Sequence, residues 1–254
     1  MAQESEARFY LYAVTLPGTE GGVVDLEQMQ QTERALPARI AQLYEGHAVF
    51  CRRAVELLRA AALIDARREP GLLLPEDREK ARRRAAGVAR RELGPVPKQA
   101  EPGRRELGFL RSMTGDGLTG LPETVPALAD RVWLLDDGCG LAPDYLRVIA
   151  EEAQKRALHH IVCPNPLHPE EPEAVFLPER RLAFLTAAAT GGVAGETVRH
   201  VRLDSIPDIE RRRALRSAMR ADAKLQQALL SMAEKHLQSA AILYEEIRVW
   251  ETER

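Results

Sequence analysis

The apolar positions in the middle of the chain change period twice, which predicts a strand, a helix and a second strand in succession. Val132–Leu135 is a continuous apolar run that ends at two aspartates, and His160–Cys163 is a second short run. Leu146 and Ile149 lie between them at helical spacing, with Pro143 suited to the first turn of a helix. We interpret this stretch as a βαβ unit, in which the turn after the first strand is the usual ligand site.

Other apolar runs predict further strands, at Arg8–Val14, Leu107–Met113, Ala174–Leu177 and Leu182–Thr186. Helical spacing predicts three helical regions before the last one, namely Asp25 to about Arg68, Pro75 to about Glu92, and Glu123–Ala129.

The last helical region, Ile209–Arg254, contains no glycine or proline, so it is either one long helix or a helical hairpin. Its apolar residues form a heptad-like seam, which predicts packing against another helix. The seam residues are Leu229, Met232, Ala240, Leu243, Ile247 and Trp250.

The segment GPVPKQAEPG, from Gly94 to Gly103, is the best linker candidate. It divides the chain into residues 1–93, a linker at 94–105, and residues 106–254, with long helices from about 205 onward. The stretch Arg53–Arg67 also aligns without gaps with Ala233–Ile247, and the order of strand, glycine loop, aspartate and long helix matches around both. We interpret this as an internal repeat and expect the two long helical regions to pack on each other.

Composition narrows the class of protein. The 254 residues are 45% hydrophobic and carry a formal net charge of −2, which argues against a general nucleic-acid binder. We read the arginine clusters Arg82–Arg84 and Arg90–Arg91 as solvated helix faces rather than phosphate contacts. Three cysteines without a CxxC pattern, and no signal peptide or membrane-length apolar run, predict a cytoplasmic protein that does not enter the membrane.

From about Arg105 to the end, and more loosely before the linker, the chain resembles a family of bacterial tandem P-loop ATPases of unknown physiological role. The resemblance rests on RELGFLRSMTGDGLTGLPET, VWLL with its turn, IAEEAQKR and IVCPNPLHPEEPEAVFLPERRLAFLT. The segment containing Leu177-Pro178-Glu179 is the most distinctive part. The resemblance implies an α/β fold, a P-loop NTPase-like three-layer domain with long helical extensions, in a chain shortened at its N-terminus relative to the family.

The turn departs from the family pattern. A working P-loop needs GxxxxGK[ST], whose backbone amides, lysine and hydroxyl bind phosphates and Mg²⁺. When the motif is aligned without gaps at the start of the following helix, its two glycines, its lysine and its Ser/Thr correspond to Asp136, Leu141, Ala142 and Pro143. None of these four residues is of the type that the motif requires. Lys155 is at the far end of the helix, and only arginines such as Arg131 or Arg147 remain as substitutes. The degenerate loop is formed by Asp136, Asp137, Gly138, Cys139, Gly140, Leu141, Ala142 and Pro143.

Acidic residues in this turn add repulsion. A helix N-terminus attracts anions, but Asp136, Asp137 and Asp144 bring negative charge to the place where a phosphate would bind. Cys139 at the helix N-terminus is a candidate for a lowered thiol pKa, although no histidine is placed by the sequence to act with it.

Two other kinds of site fit the sequence less well. The pair Asp136-Asp137 resembles the acidic pair of phospho-receiver domains, but neither later strand ends in an acceptor aspartate. A zinc site from His159, His160, Cys163 and His168 matches no standard ligand spacing.

The sequence therefore predicts a catalytically degenerate P-loop ATPase-like protein that acts as a scaffold or regulatory partner, with no catalytic residues, metal or cofactor. We expect a protein partner, or self-association, through the long helices. Two alternatives stay open: a nucleotide-binding protein or ATPase with a non-standard phosphate site, and a helical protein–protein interaction module.

Overall fold

The computed structural model describes residues 38–65, 70–99, 101–121, 123–190 and 198–252. The predicted strand Arg8–Val14 and the predicted helix start at Asp25 lie outside the described residues. The helices are α1 (Ala38–Leu63), α2 (Pro75–Leu93), α3 (Thr124–Leu128), α4 (Ala142–Lys155), α5 (Ala187–Thr190) and α6 (Ile209–Thr252). The strands are β1 (Arg105–Leu107), β2 (Arg111–Thr114), β3 (Gly117–Gly120), β4 (Arg131–Asp136), β5 (His160–Pro164), β6 (Pro172–Leu177), β7 (Leu182–Thr186) and β8 (Val198–Arg202).

The fold is mixed α/β around a six-stranded mixed sheet in the order β1-β5-β6-β7-β4-β8. Strand β6 is antiparallel to both of its neighbours, whereas the other neighbouring pairs are parallel. In the centre Leu134 is in register with Leu185 of β7 on one side and with His200 of β8 on the other. Strands β2 and β3 form a separate two-stranded sheet.

The predicted strand–helix–strand unit is β4–α4–β5, and its two strands are parallel as expected. They are not neighbours, however, because β6 and β7 lie between them in the sheet. Strand β6 pairs antiparallel with β5, and β7 pairs antiparallel with β6. The sequence of the β4–α4–β5 segment does not predict that these two strands are inserted between β4 and β5. The turn after β4 nevertheless keeps its place at the carboxyl end of an inner strand.

The described part of the chain divides into two compact units, which we call the sheet unit (described residues of 62–112 and 119–226) and the helical unit (38–61, 113–118 and 227–252). In the sheet unit one face of the sheet packs against α2 and α4, and alanines of α2 allow the close approach. The other face is covered by residues that include Leu110 and Val125. The first core contains Ala81, Ala85, Ala89, Trp133, Leu135, Tyr145, Leu146, Ile149, Val162 and Phe184.

In the helical unit, α1 packs antiparallel against the C-terminal part of α6. The Tyr44 hydroxyl donates to Glu251 Oε1 at 2.7 Å near one end, and Ala54 contacts Ala233 and Leu237 near the other. The prediction that the two long helical regions pack on each other is therefore confirmed. The underlying internal repeat stays a prediction.

The segment predicted as a linker, residues 94–105, belongs to the sheet unit, and the division of the chain at this segment stays a prediction. The segment is attached to α4 at both of its ends. Arg156 donates from Nε to the Gly94 carbonyl at 2.7 Å, and the Gly103 amide donates to the Gln154 carbonyl at 2.8 Å.

Two other local predictions differ from the structure. The single strand expected at Leu107–Met113 is two strands, β1 and β2, that belong to different sheets. The loop expected after it contains β3, and Gly117, the first residue of β3, has a φ of +89°. Strand β8 was not predicted at all. Within the described residues, no helix is long and apolar enough to cross a membrane.

Candidate functional site

The turn after β4 connects an inner strand of the sheet to α4. Strand β4 ends at Asp136 and α4 begins at Ala142, so residues 137–141 form the connection. Both neighbours of β4 run parallel to it, which makes this the edge of the sheet where α/β proteins commonly bind ligands. Gly140 has a φ of +88°, a conformation that glycine adopts without steric penalty.

The Asp137 carboxylate occupies the centre of this turn. Its Oδ1 atom accepts hydrogen bonds from the amides of Cys139 at 3.2 Å, Gly140 at 2.9 Å and Leu141 at 3.0 Å. Its Oδ2 atom accepts from the Ala142 amide at 2.6 Å. Four successive amides, two in the turn and two at the N-terminus of α4, therefore converge on a carboxylate of the same chain.

A second carboxylate satisfies the remaining amide. Asp204 lies in a single 3₁₀ turn, Leu203–Ser205, directly after β8, and its Oδ1 atom accepts from the Gly138 amide at 2.8 Å. All five amides from Gly138 to Ala142 are thus bound by aspartates. The turn has the backbone geometry that suits an anion, and the protein's own side chains fill it.

Asp136 is directed to the neighbouring strand. Its carboxylate lies 3.1 Å from Nδ1 of His200 on β8, and both side chains are partly exposed. The two adjacent aspartates therefore have different surroundings: Asp137 faces backbone amides, and Asp136 faces an imidazole.

The negative charge of Asp144 is neutralised, contrary to our expectation that it repels a phosphate. Its carboxylate is 2% exposed and is bound by Arg78 Nη1 at 2.6 Å and by Arg82 Nη2 at 2.7 Å, both from α2. The hydrogen bond to Asp144 is the main cause of a raised pKa for Arg82. Arg84 contacts the Arg202 carbonyl at 3.3 Å, so this part of the arginine cluster connects elements of the fold.

Cys139 lies at the helix N-terminus, as the sequence indicated, but its thiol is buried. It is 1% exposed, and its pKa is raised to about 12 by burial and then by a hydrogen bond to Asp204. The expectation of a lowered thiol pKa at the helix N-terminus is therefore wrong, because burial and a nearby carboxylate oppose ionisation.

The positions aligned with the P-loop lysine and hydroxyl lie in the core. Leu141 and Ala142 are fully buried, and Pro143 is buried in the first turn of α4. The basic residues considered as substitutes have partners elsewhere: Arg131 binds Glu92 at 3.0 Å, and Lys155 binds Glu152 at 2.8 Å. Arg147 Nη2 donates to the Glu170 carbonyl at 3.3 Å.

The four residues considered for zinc have separate surroundings. His168 Nε2 lies 3.1 Å from the Asp65 carboxylate, and His159 Nε2 lies 3.3 Å from the Glu106 carboxylate. The Nδ1 atom of His160 lies 3.1 Å from the Leu158 carbonyl, and Cys163 is buried in the other face of the sheet. Among the residues that the structure describes, no three His, Cys, Asp or Glu side chains form a group able to hold a metal ion.

Sequence reasoning located the turn but missed three of the side chains that complete it: His200, Asp204 and Arg78. His200 lies on β8 and Asp204 lies in the turn after it, and the sequence did not predict this strand because its VRHVR pattern has no apolar run. Arg78 comes from a charged helix that the sequence did not connect to this site.

Comparison with known proteins adds no relative to these observations: no family model, no curated protein and no solved structure matches the chain.

Proposed function

We propose that this protein is a catalytically degenerate P-loop ATPase-like protein, which does not turn over nucleotide and acts as a scaffold or regulatory partner of another protein. The observation that carries the proposal is the Asp137 carboxylate, which accepts the four amides from Cys139 to Ala142. In a working P-loop such amides hold phosphate oxygens. A phosphate in this turn would have to displace a carboxylate and tolerate its charge.

The surroundings of the turn support loss of turnover in a second way. Phosphoryl transfer depends on positioned cations and donors that neutralise the phosphates, and removing one such donor commonly lowers the rate by roughly 10²–10³. Here the expected lysine is the buried Ala142, and the nearby arginines Arg78 and Arg82 are bound to Asp144. Several of the required groups are therefore missing together.

The test measures phosphate release and nucleotide binding with Mg²⁺ and ATP or GTP, for the wild type and for Asp136→Asn/Asp137→Asn. We expect no phosphate release above background from either protein, since neither provides the lysine or the hydroxyl. Wild-type turnover that disappears in the variant would identify the acidic turn as an unconventional active site and would overturn the proposal. Tight nucleotide binding without turnover would instead favour the alternative of a nucleotide-binding protein with a non-standard phosphate site.

A further inference from the structure

The C-terminal part of α6 carries an exposed stripe that its own unit does not use for packing. The stripe residues alternate at spacings of three and four, so at 100° per residue they lie within an arc of about 100° on one side of the helix. We call this stripe the α6 seam; it is formed by Ala228, Met232, Lys235, Ser239, Ile242, Glu246 and Val249. Met232 is 50% exposed, Ile242 62% and Val249 52%.

The α6 seam is turned away from α1. The residues of this part of α6 that are buried lie on another side of the helix, at Ala233, Leu237, Ala240 and Ile247. Ala233 and Leu237 form the shared core with α1. The helix therefore has two apolar stripes, one packed within the chain and one facing solvent. The second has the spacing of a coiled-coil seam, which buries its apolar residues against another helix.

The charges of the α6 seam are arranged symmetrically about its centre. Lys235 and Glu246 lie on opposite sides of the midpoint between Ala240 and Ala241, at equal distances along the sequence. The same holds for Met232 and Val249, and for Ser239 and Ile242. Lys235 and Glu246 are both exposed, and no ion pair found within the described part of the chain involves either of them.

We propose that the α6 seam is a homodimer interface, in which two copies of α6 pack antiparallel about a two-fold axis that passes between Ser239 and Ile242. This arrangement places Lys235 opposite Glu246 of the partner subunit, and the symmetry repeats the pair. It also places Met232 opposite Val249 of the partner subunit. A parallel pair would instead put Lys235 opposite Lys235 of the partner subunit, and like charges at close range repel.

The charge pattern favours a second copy over an unrelated helix. A foreign helix needs no symmetry in the surface that it binds, whereas an isologous interface places each residue opposite its symmetry counterpart, and here the one basic residue of the α6 seam lies opposite the one acidic residue. The inference goes beyond the function proposed above and is independent of it, because the α6 seam shares no residue with the turn after β4. Sedimentation tests the homodimer and phosphate release tests the loss of turnover, so either proposal can be contradicted without the other.

The experiment is sedimentation equilibrium of the full chain over a wide range of concentration, with charge reversals at the proposed pair. We expect a reversible monomer–dimer equilibrium for the wild type. Lys235→Glu and Glu246→Lys should each weaken the dimer by about tenfold or more, because each replaces two attractive contacts by two repulsive ones. An equimolar mixture of the two variants should dimerise about as tightly as the wild type, since every contact between unlike variants is attractive.

Two controls make the result specific. The double variant Lys235→Glu/Glu246→Lys exchanges the charges and should keep the wild-type dimer. Arg216→Glu reverses an exposed basic residue on another side of α6, outside the arc of the α6 seam, and should leave the dimer unchanged. A wild type that stays monomeric throughout, single reversals without effect, or a mixture no tighter than its components would each overturn the proposal.

Discussion

Asp136 and Asp137 are adjacent in the sequence, and the structure gives them different surroundings. Asp137 accepts hydrogen bonds from four amides at the start of α4, whereas Asp136 lies beside His200 near the surface. A carboxylate at a helix N-terminus stabilises the helix in two ways. It interacts favourably with the helix dipole, and it accepts hydrogen bonds from amides that would otherwise lack partners. The two residues should therefore contribute unequally to stability.

Asp137→Ala should lower the free energy of unfolding by about 2 kcal/mol, because it removes a charged acceptor from several amides of a partly buried turn. Asp136→Ala is the matched control and should lower it by no more than about 1 kcal/mol, as expected for an exposed pair. Urea denaturation of both variants beside the wild type measures the difference. Equal losses in the two variants would contradict the role given to Asp137.

Only part of this residue-scale arrangement was predictable. The sequence placed negative charge in the turn because Asp136-Asp137 follow an apolar run directly. It did not predict that Asp137 folds back onto the amides, since that depends on the path of the turn. Asp204 reaches Gly138 because β8 pairs with β4, and these strands are more than 60 residues apart in the chain.

At the scale of elements, local pattern predicted β4, α4, β5, β6, β7 and α2 well, because each has either a clear apolar run or a clear helical period. It failed for β8, whose VRHVR pattern is mostly exposed at the edge of the sheet, and for β1 and β2, which were merged although they join different sheets. Neighbour relations in the sheet depend on pairing between distant segments, so no local pattern predicts that β6 and β7 separate β4 from β5.

The segment of residues 94–105 has the composition of a linker, yet it packs closely against α4. A Cβ atom on Gly103 would lie 2.2 Å from the Leu158 carbonyl oxygen, a backbone atom that cannot move aside. Gly103→Ala should therefore lower the free energy of unfolding by about 2 kcal/mol or more through overpacking.

Gly87, in the middle of α2, is the matched control for this prediction. A Cβ atom there would meet nothing within 4 Å, so Gly87→Ala should raise the free energy of unfolding by about 0.5–1 kcal/mol through helix propensity. Chemical denaturation measures both variants. A Gly103→Ala protein as stable as the wild type would show that residues 94–105 are a loose connection.

At the scale of the whole molecule, each unit contains a histidine whose neutral form is favoured: His47 is partly buried and His160 is fully buried. Burial lowers the pKa of His47 in the helical unit, and burial is also the main cause of the lowered pKa of His160 in the sheet unit. The unfolded chain binds protons at these positions once the pH falls below the ordinary histidine pKa of about 6.5. The unfolded state is then favoured, so stability falls as the pH decreases through that range.

We expect the free energy of unfolding to decrease from about pH 7.5 to about pH 5, with part of the decrease caused by His160. His160→Asn keeps a donor for the Leu158 carbonyl and cannot titrate, so its pH dependence should be shallower than that of the wild type. The double variant His47→Asn/His160→Asn should be shallower still. Urea midpoints across this range measure the slopes, and an unchanged slope in both variants would rule out these histidines as its source.

The carboxylate of Asp137 is part of the chain, so dilution or dialysis cannot remove it from the turn. A group held in place by a short covalent connection acts at an effective concentration of about millimolar or higher, whatever the concentration of the protein. A free phosphate or nucleotide competes with it only from a comparable concentration upward. The turn after β4 therefore keeps this carboxylate at any dilution of the protein, and the carboxylate fixes the connection between β4 and α4.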